Sequence, residues 1–132
     1  LVKPEKIDHI CIAVKDLKEA VAHYTKAFQL EQVDAYVDEP EKINVVRFKV
    51  GEVAFELMES TSEDGEVAKF IKKNGEGVFL ISFKVPDVAE AIKELDKEGI
   101  KILDETPRKW RNSKFTFLNP KDYHGVLIEL ID

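Results

Sequence analysis

The chain of 132 residues has one cysteine, one tryptophan, one methionine and only six glycines and five prolines. A single cysteine, Cys11, excludes an internal disulfide and fits a reducing cytoplasm. The scarcity of glycine and proline leaves no low-complexity linker between modules. No apolar run approaches the roughly 18 residues of a membrane span, and no signal-peptide pattern opens the sequence. There is no basic block, and the net charge is −6, which argues against a nucleic-acid partner. What is present is 44% hydrophobic and 35% charged residues, the balance of a globular domain with a real core.

The most informative feature is an internal repeat. IDHICIAVKDLKEAV at 7–21 returns 71 positions later as VFLISFKVPDVAEAI at 78–92, placing Ile10 on Ile81, Val14 on Val85, Asp16 on Asp87 and Glu19 on Glu90. VAFEL at 53–57 matches VLIEL at 126–130, placing Glu56 on Glu129. One supersecondary unit used twice is the simplest reading. The position equivalent to His9 is Leu80.

Periodicity fills in each copy. Residues 7–14 alternate as a strand. Asp16 caps a helix to about residue 28, whose Leu17, Ala20, Val21, Tyr24 and Phe28 recur at helical spacing. Strands follow near 31–37, 44–50 and 53–59, the last two meeting at the turn Gly51–Glu52. A connecting helix spans 62–73. The second copy then reads strand 78–85, helix 87–98, strand 100–104, loop 105–112, strand 114–118, turn 119–124 and strand 125–131. The expected architecture is α+β: two tandem βαβββ modules, about 5–60 and 76–132, in a single domain over 1–132. Their strands form a curved sheet around a cleft.

Strand alternation sorts the faces. Ile10, Ile12 and Val14 should pack on the helices, leaving His9, Cys11 and Ala13 opposite. Glu56 and Glu129 interrupt apolar strands on that same face, which is unusual for a buried surface. Its bland reading is a solvated sheet face. Cys11 reads as a small buried hydrophobe, with a nucleophile as the alternative. His23 falls on the polar side of the first helix. His124 lies in the turn before the last strand, where a substitute ligand role is the sharper alternative. Arg108, Lys109, Trp110 and Arg111 read as a surface loop, or as cationic and stacking contacts for a phosphate-bearing or aromatic ligand.

Paired βαβββ modules with His and Glu on inward strand faces resemble the vicinal oxygen chelate superfamily, which includes the glyoxalases and bleomycin-resistance proteins. Within it the chain most resembles the methylmalonyl-CoA epimerases. The stretches that carry the resemblance are KIDHICIAVKDL at 6–17, VGEVAFELMESTSEDGEVAKFIKKNGEG at 50–77 and ETPR…FTFLNPK…GVLIEL at 105–130. The resemblance implies a divalent-metal site at His9, Glu56 and Glu129. A fourth ligand, a histidine in the family, is replaced by Leu80 in GVFLISF. The family's GAGG stretch becomes KWRNS at 109–113, and its PEQGV loop becomes PEKIN at 40–44.

The chemistry implied is removal of a proton next to a thioester carbonyl through an enolate. Glu129 and Glu41 would be the catalytic carboxylates, and a divalent ion would stabilise the enolate. One imidazole and two carboxylates suit Co²⁺, Mn²⁺ or Mg²⁺, and favour zinc less than a two-histidine site would. If the metal has been lost, Glu56 and Glu129 become two nearby carboxylates, one of which would hold a proton. The resemblance further implies a small-molecule substrate such as an acyl-CoA and a homodimer; the short apolar runs and the single cysteine lead one to expect no membrane partner and a cytoplasmic location. Two alternatives stay open. One is a non-catalytic small-molecule-binding protein of the same fold. The other is a divergent isomerase, lyase or cyclase that works without metal.

Overall fold

A computed structural model describes residues 1–132. It is a mixed α+β structure of eight strands and three helices. Two compact units divide the chain: His9–Phe79, and Leu80–Asp132 together with Leu1–Asp8.

In the first unit the elements are β1 (Lys6–Ala13), whose first three residues are counted with the second unit, α1 (Leu17–Ala27), β2 (Glu31–Asp38), β3 (Ile43–Val50), β4 (Val53–Ser60) and α2 (Glu66–Asn74). The strand order is β2-β3-β4-β1, with β1 parallel to β4 and the other pairs antiparallel. α1 starts because the Asp16 side chain accepts the Glu19 N–H at 3.0 Å. That satisfies one of the amides a helix leaves open at its start. Its Leu17, Ala20, Val21 and Tyr24 cover Val14, Phe48 and Leu57, and Tyr24 meets Phe55 with ring centroids 5.1 Å apart. Removing these apolar side chains from water is the main stabilising term of this layer.

The second unit has β5 (Gly77–Lys84), which begins three residues inside the first unit, then α3 (Val88–Lys97), β6 (Arg108–Trp110), β7 (Ser113–Phe117) and β8 (Ile128–Ile131). Its order is β5-β8-β7-β6. Asp87 accepts the Glu90 N–H at 3.1 Å, the same cap at the same position. Val88, Ala91, Ile92 and Leu95 of α3 pack with Val85, Leu118 and Leu130.

The repeat extends to hydrogen bonds. Val14 N–H donates to the Met58 carbonyl and Val85 N–H to the Ile131 carbonyl, both at 2.8 Å. Glu59 accepts the Leu17 N–H at 3.1 Å, and Asp132 accepts the Val88 N–H at 3.0 Å. The register agrees too, Cys11 lying beside Glu56 and Ser82 beside Glu129.

Four expectations about elements need correction. Residues 100–104 are not a strand; they make one isolated bridge, Ile102 to Leu118. The ladder instead uses Arg108–Trp110, read above as loop, which pairs with β7 around the turn Arg111–Asn112. Arg111 takes φ 53° there, a conformation that glycine or asparagine usually announces. The connecting helix starts at Glu66 rather than residue 62. Ser60 Oγ donates to the Ser62 carbonyl at 2.6 Å, and such local side-chain bonds compete with helix. Finally, β8 begins at Ile128, because Gly125 N–H and Val126 N–H are used in a turn with Pro120 and Tyr123.

Candidate active site

On the face of the first unit turned away from α1, polar groups sit where a sheet would normally bury only apolar ones. His9 (6% exposed), Cys11 (0%) and Glu56 (2%) offer ligand atoms that all lie within 4.8 Å of one another. Alternation along β1 puts His9 and Cys11 two residues apart on one face. The parallel pairing of β1 with β4 sets Cys11 level with Glu56. Cys11 Sγ donates to Glu56 Oε1 at 3.3 Å. The other oxygen, Oε2, is held by Arg47 Nη1 from the facing position on β3. A carboxylate this deep is costly unless its charge is compensated, and Arg47 supplies that compensation.

Tyr36 joins from β2. Its hydroxyl is held above the usual tyrosine range, first by burial and then by the negative charge of Glu56. It therefore stays a proton donor through the physiological range. It faces this side because β2 carries a bulge: Gln32 pairs with Phe48, whereas Asp34 pairs with Arg47, so Val33 is an extra residue. The bulge re-aims Asp34 and Tyr36 onto the face of Arg47 and Glu56.

Glu41 lies in the turn between β2 and β3 and is outside the His9–Cys11–Glu56 group. Strand pairing places this turn four residues from the Arg47–Glu56 level, roughly 13 Å along the strand. The turn is pinned. Asp38 accepts the Glu41 N–H at 3.2 Å, the Lys42 carbonyl accepts the Thr61 N–H at 2.9 Å, and Lys42 Nζ pairs with Asp64 at 2.6 Å. Those contacts hold Lys42 at φ 58°. The loop after β4 is equally tight: a Cβ on Gly65 would stand 2.5 Å from Ser60 Oγ.

In the second unit Glu129 is 6% exposed, with Ser82 beside it on β5 and Phe117 on β7. Leu80 is 4% exposed. Phe79, within the first unit, packs edge-on against Phe70 with centroids 5.3 Å apart. Apolar side chains thus occupy positions 79 and 80, the second being where the resemblance leads one to expect a ligand histidine. His23 is exposed on α1, and His124 is exposed in its turn at φ 59°.

The chain's basic hairpin is also here. Lys109 and Lys114 are direct cross-strand partners and both exposed. Arg111 lies over the Trp110 ring at 4.4 Å, and Arg108 over Phe117 at 5.3 Å while pairing with Asp104.

Arg47, Tyr36 and the participation of Cys11 were not anticipated from sequence. Cys11 was within reach, since it shares the His9 face at i+2. Arg47 breaks the apolar run INVVRFKV much as Glu56 breaks its own, and facing one against the other needs the hairpin register.

A donor set of imidazole, thiol and carboxylate, buried and close together, fits a divalent cation. The Arg47 bond to Glu56 is the kind of outer contact that ligating carboxylates usually have.

Comparison with known proteins gives the context. The model of the Glyoxalase/Bleomycin resistance protein/Dioxygenase superfamily matches residues 6–130. An ethylmalonyl-CoA/methylmalonyl-CoA epimerase of Cereibacter sphaeroides is 33% identical over 129 residues, covering 95% of this chain and 96% of that protein. YqjC of Bacillus subtilis, an uncharacterized protein, is 33% identical over 128 residues, 96% of this chain and 91% of its own length. A Streptomyces coelicolor methylmalonyl-CoA epimerase, solved in complex with 2-nitronate-propionyl-CoA, superposes with a TM-score of 0.91 at 36% identity, covering 98% of this chain and 94% of the other.

Proposed function

We propose that this chain, which belongs to the glyoxalase/bleomycin resistance protein/dioxygenase superfamily, is an epimerase that moves the proton next to the thioester carbonyl of an acyl-CoA such as methylmalonyl-CoA. The observation that carries the reading is chemical. The chain keeps a buried imidazole and carboxylate, His9 and Glu56, on one sheet, and a second buried carboxylate, Glu129, at the equivalent place in its repeat.

Epimerisation removes a proton from one face of a carbon and returns one to the other, so it needs two proton carriers. We assign these roles to Glu129 and Glu41. His9, Glu56 and Glu129 are the residues that would hold a divalent ion. Such an ion would supply Lewis-acid stabilisation of the enolate. Arg47 holds the Glu56 carboxylate in place, and Tyr36 remains a hydroxyl donor on the same face. The pinned turn of Glu41 limits the arc its carboxylate can sweep. The hairpin cations Lys109, Arg111 and Lys114 suit the phosphates at the far end of a coenzyme A ester, and Trp110 offers a ring for stacking.

The test is exchange of the C2 hydrogen of methylmalonyl-CoA in deuterated water, followed by mass spectrometry. Wash-in by the wild type and its loss in Glu129→Gln are expected. A second reading, a small-molecule-binding protein without catalysis, draws on the apolar Leu80 at the family's histidine position. Tight binding of the ester with no wash-in by the wild type would establish that reading instead.

A further inference from the structure

We propose that Cys11 is itself a metal ligand, and that the ion it selects is zinc or cobalt rather than magnesium or manganese. The proposal takes from the family reading only that a divalent ion is bound; it does not depend on the reaction.

The placement of Cys11 is not that of an inert core residue. Its sulfur points at Glu56 Oε1, 3.3 Å away, and both atoms lie within 4.8 Å of a nitrogen of His9. Two ligands of one tetrahedral ion stand roughly 3.3–3.8 Å apart, given bonds of about 2.0–2.3 Å. Small side-chain rotations therefore close the set without moving the strands. The three residues are 0–6% exposed, so water competes poorly as a ligand. Arg47 Nη1 engages Oε2, and the other oxygen, Oε1, is the one turned towards Cys11.

The chemistry then decides the ion. Magnesium and manganese favour all-oxygen, octahedral surroundings, which an imidazole and a sulfur do not provide. Thiolate and imidazole favour zinc and cobalt. On ligation the Cys11 thiol gives up its proton to solvent, and its sulfur lone pair forms the new bond. A thiol two residues along the His9 strand thus supplies the ligand that Leu80 cannot.

The metal-free protein is titrated with Co²⁺ under reducing conditions. One equivalent should bind and produce the near-ultraviolet absorption of a thiolate-to-cobalt charge transfer. Cys11→Ser should lose that band and weaken Zn²⁺ binding at least tenfold. X-ray absorption of the zinc-loaded wild type needs no variant and should show one sulfur at about 2.3 Å. Cobalt binding without the band, a shell of nitrogen and oxygen only, or no binding of either ion overturns the proposal. The deuterium wash-in assay separates it from the proposed activity. A sulfur ligand in a protein without wash-in leaves this proposal standing, and wash-in without a sulfur ligand leaves only the epimerase.

Discussion

Arg47 and Glu56 face each other across the β3–β4 hairpin, and the guanidinium closes on a carboxylate that is only 2% exposed. The two ends are unequal, because Arg47 is 23% exposed and keeps partial access to water. Removing either partner should therefore have unequal effects. Arg47→Met strands a buried negative charge and should cost about 2–3 kcal/mol, below the usual cost for a fully buried pair. Glu56→Gln leaves a guanidinium that can rehydrate and should cost about 1 kcal/mol. Urea denaturation of both variants checks the order, and equal losses would show that Glu56 does not depend on this ion pair.

The pinned turn around Glu41 should have a pH signature. Asp64 is lowered from 3.8 to about 2, first by the hydrogen bond from Lys42 and then by that from Ser62. A depressed carboxylate contributes stability that is complete above its unfolded pKa and is lost as pH falls through the folded one. The contribution of this pair should therefore be present above pH 3.8 and fade towards pH 2. In Lys42→Met the Asp64 titration should move up towards 3.8, read by carbon NMR of its carboxyl group. If the proposed role of Glu41 holds, turnover should fall in the same variant with zinc affinity unchanged. An unmoved Asp64 titration would mean that Lys42 does not hold this turn.

Lys109 and Lys114 are like charges directly opposite one another, an arrangement that normally destabilises a hairpin. Lys109→Glu should convert it into a cross-strand ion pair worth about 0.2–1 kcal/mol. If the hairpin receives the phosphates of the ester, the same variant should raise KM for a coenzyme A thioester. KM for a truncated thioester that lacks the nucleotide should not change. Steady-state kinetics on the two substrates decides, and equal effects on both would remove the hairpin from recognition.

Leu80 is 4% exposed. Restoring the family's histidine there places an imidazole where water is nearly excluded, and Leu80→His should lose about 2 kcal/mol. Thermal melting measures it. An undiminished melting temperature would mean that position 80 is hydrated in solution.

Much of the fold was legible because the same local instructions are written twice. Asp16 and Asp87 cap helices, and the alternation in β1 and β5 assigns faces without knowledge of partners. The ends of elements were harder. Ser60, Ser62 and Asp64 divert backbone bonds from helix, and Arg111 turns a hairpin at an angle that its residue type does not advertise. Within the site, the face of His9, Cys11 and Glu56 followed from parity. Parity alone could not place Tyr36, because the bulge at Val33 shifts every residue after it by one face. Nor could it find Arg47, whose meaning depends on the strand beside it.

The agreement in register between the halves has a further consequence. Where the first half has His9, Cys11 and Glu56, the second has Leu80, Ser82 and Glu129, with the carboxylate buried in both. The molecule thus carries its own double mutant, imidazole to isobutyl and thiol to hydroxyl, in a copy that folds by the same hydrogen bonds. The architecture can be built without either group. Their presence at 9 and 11 answers to chemistry rather than to folding.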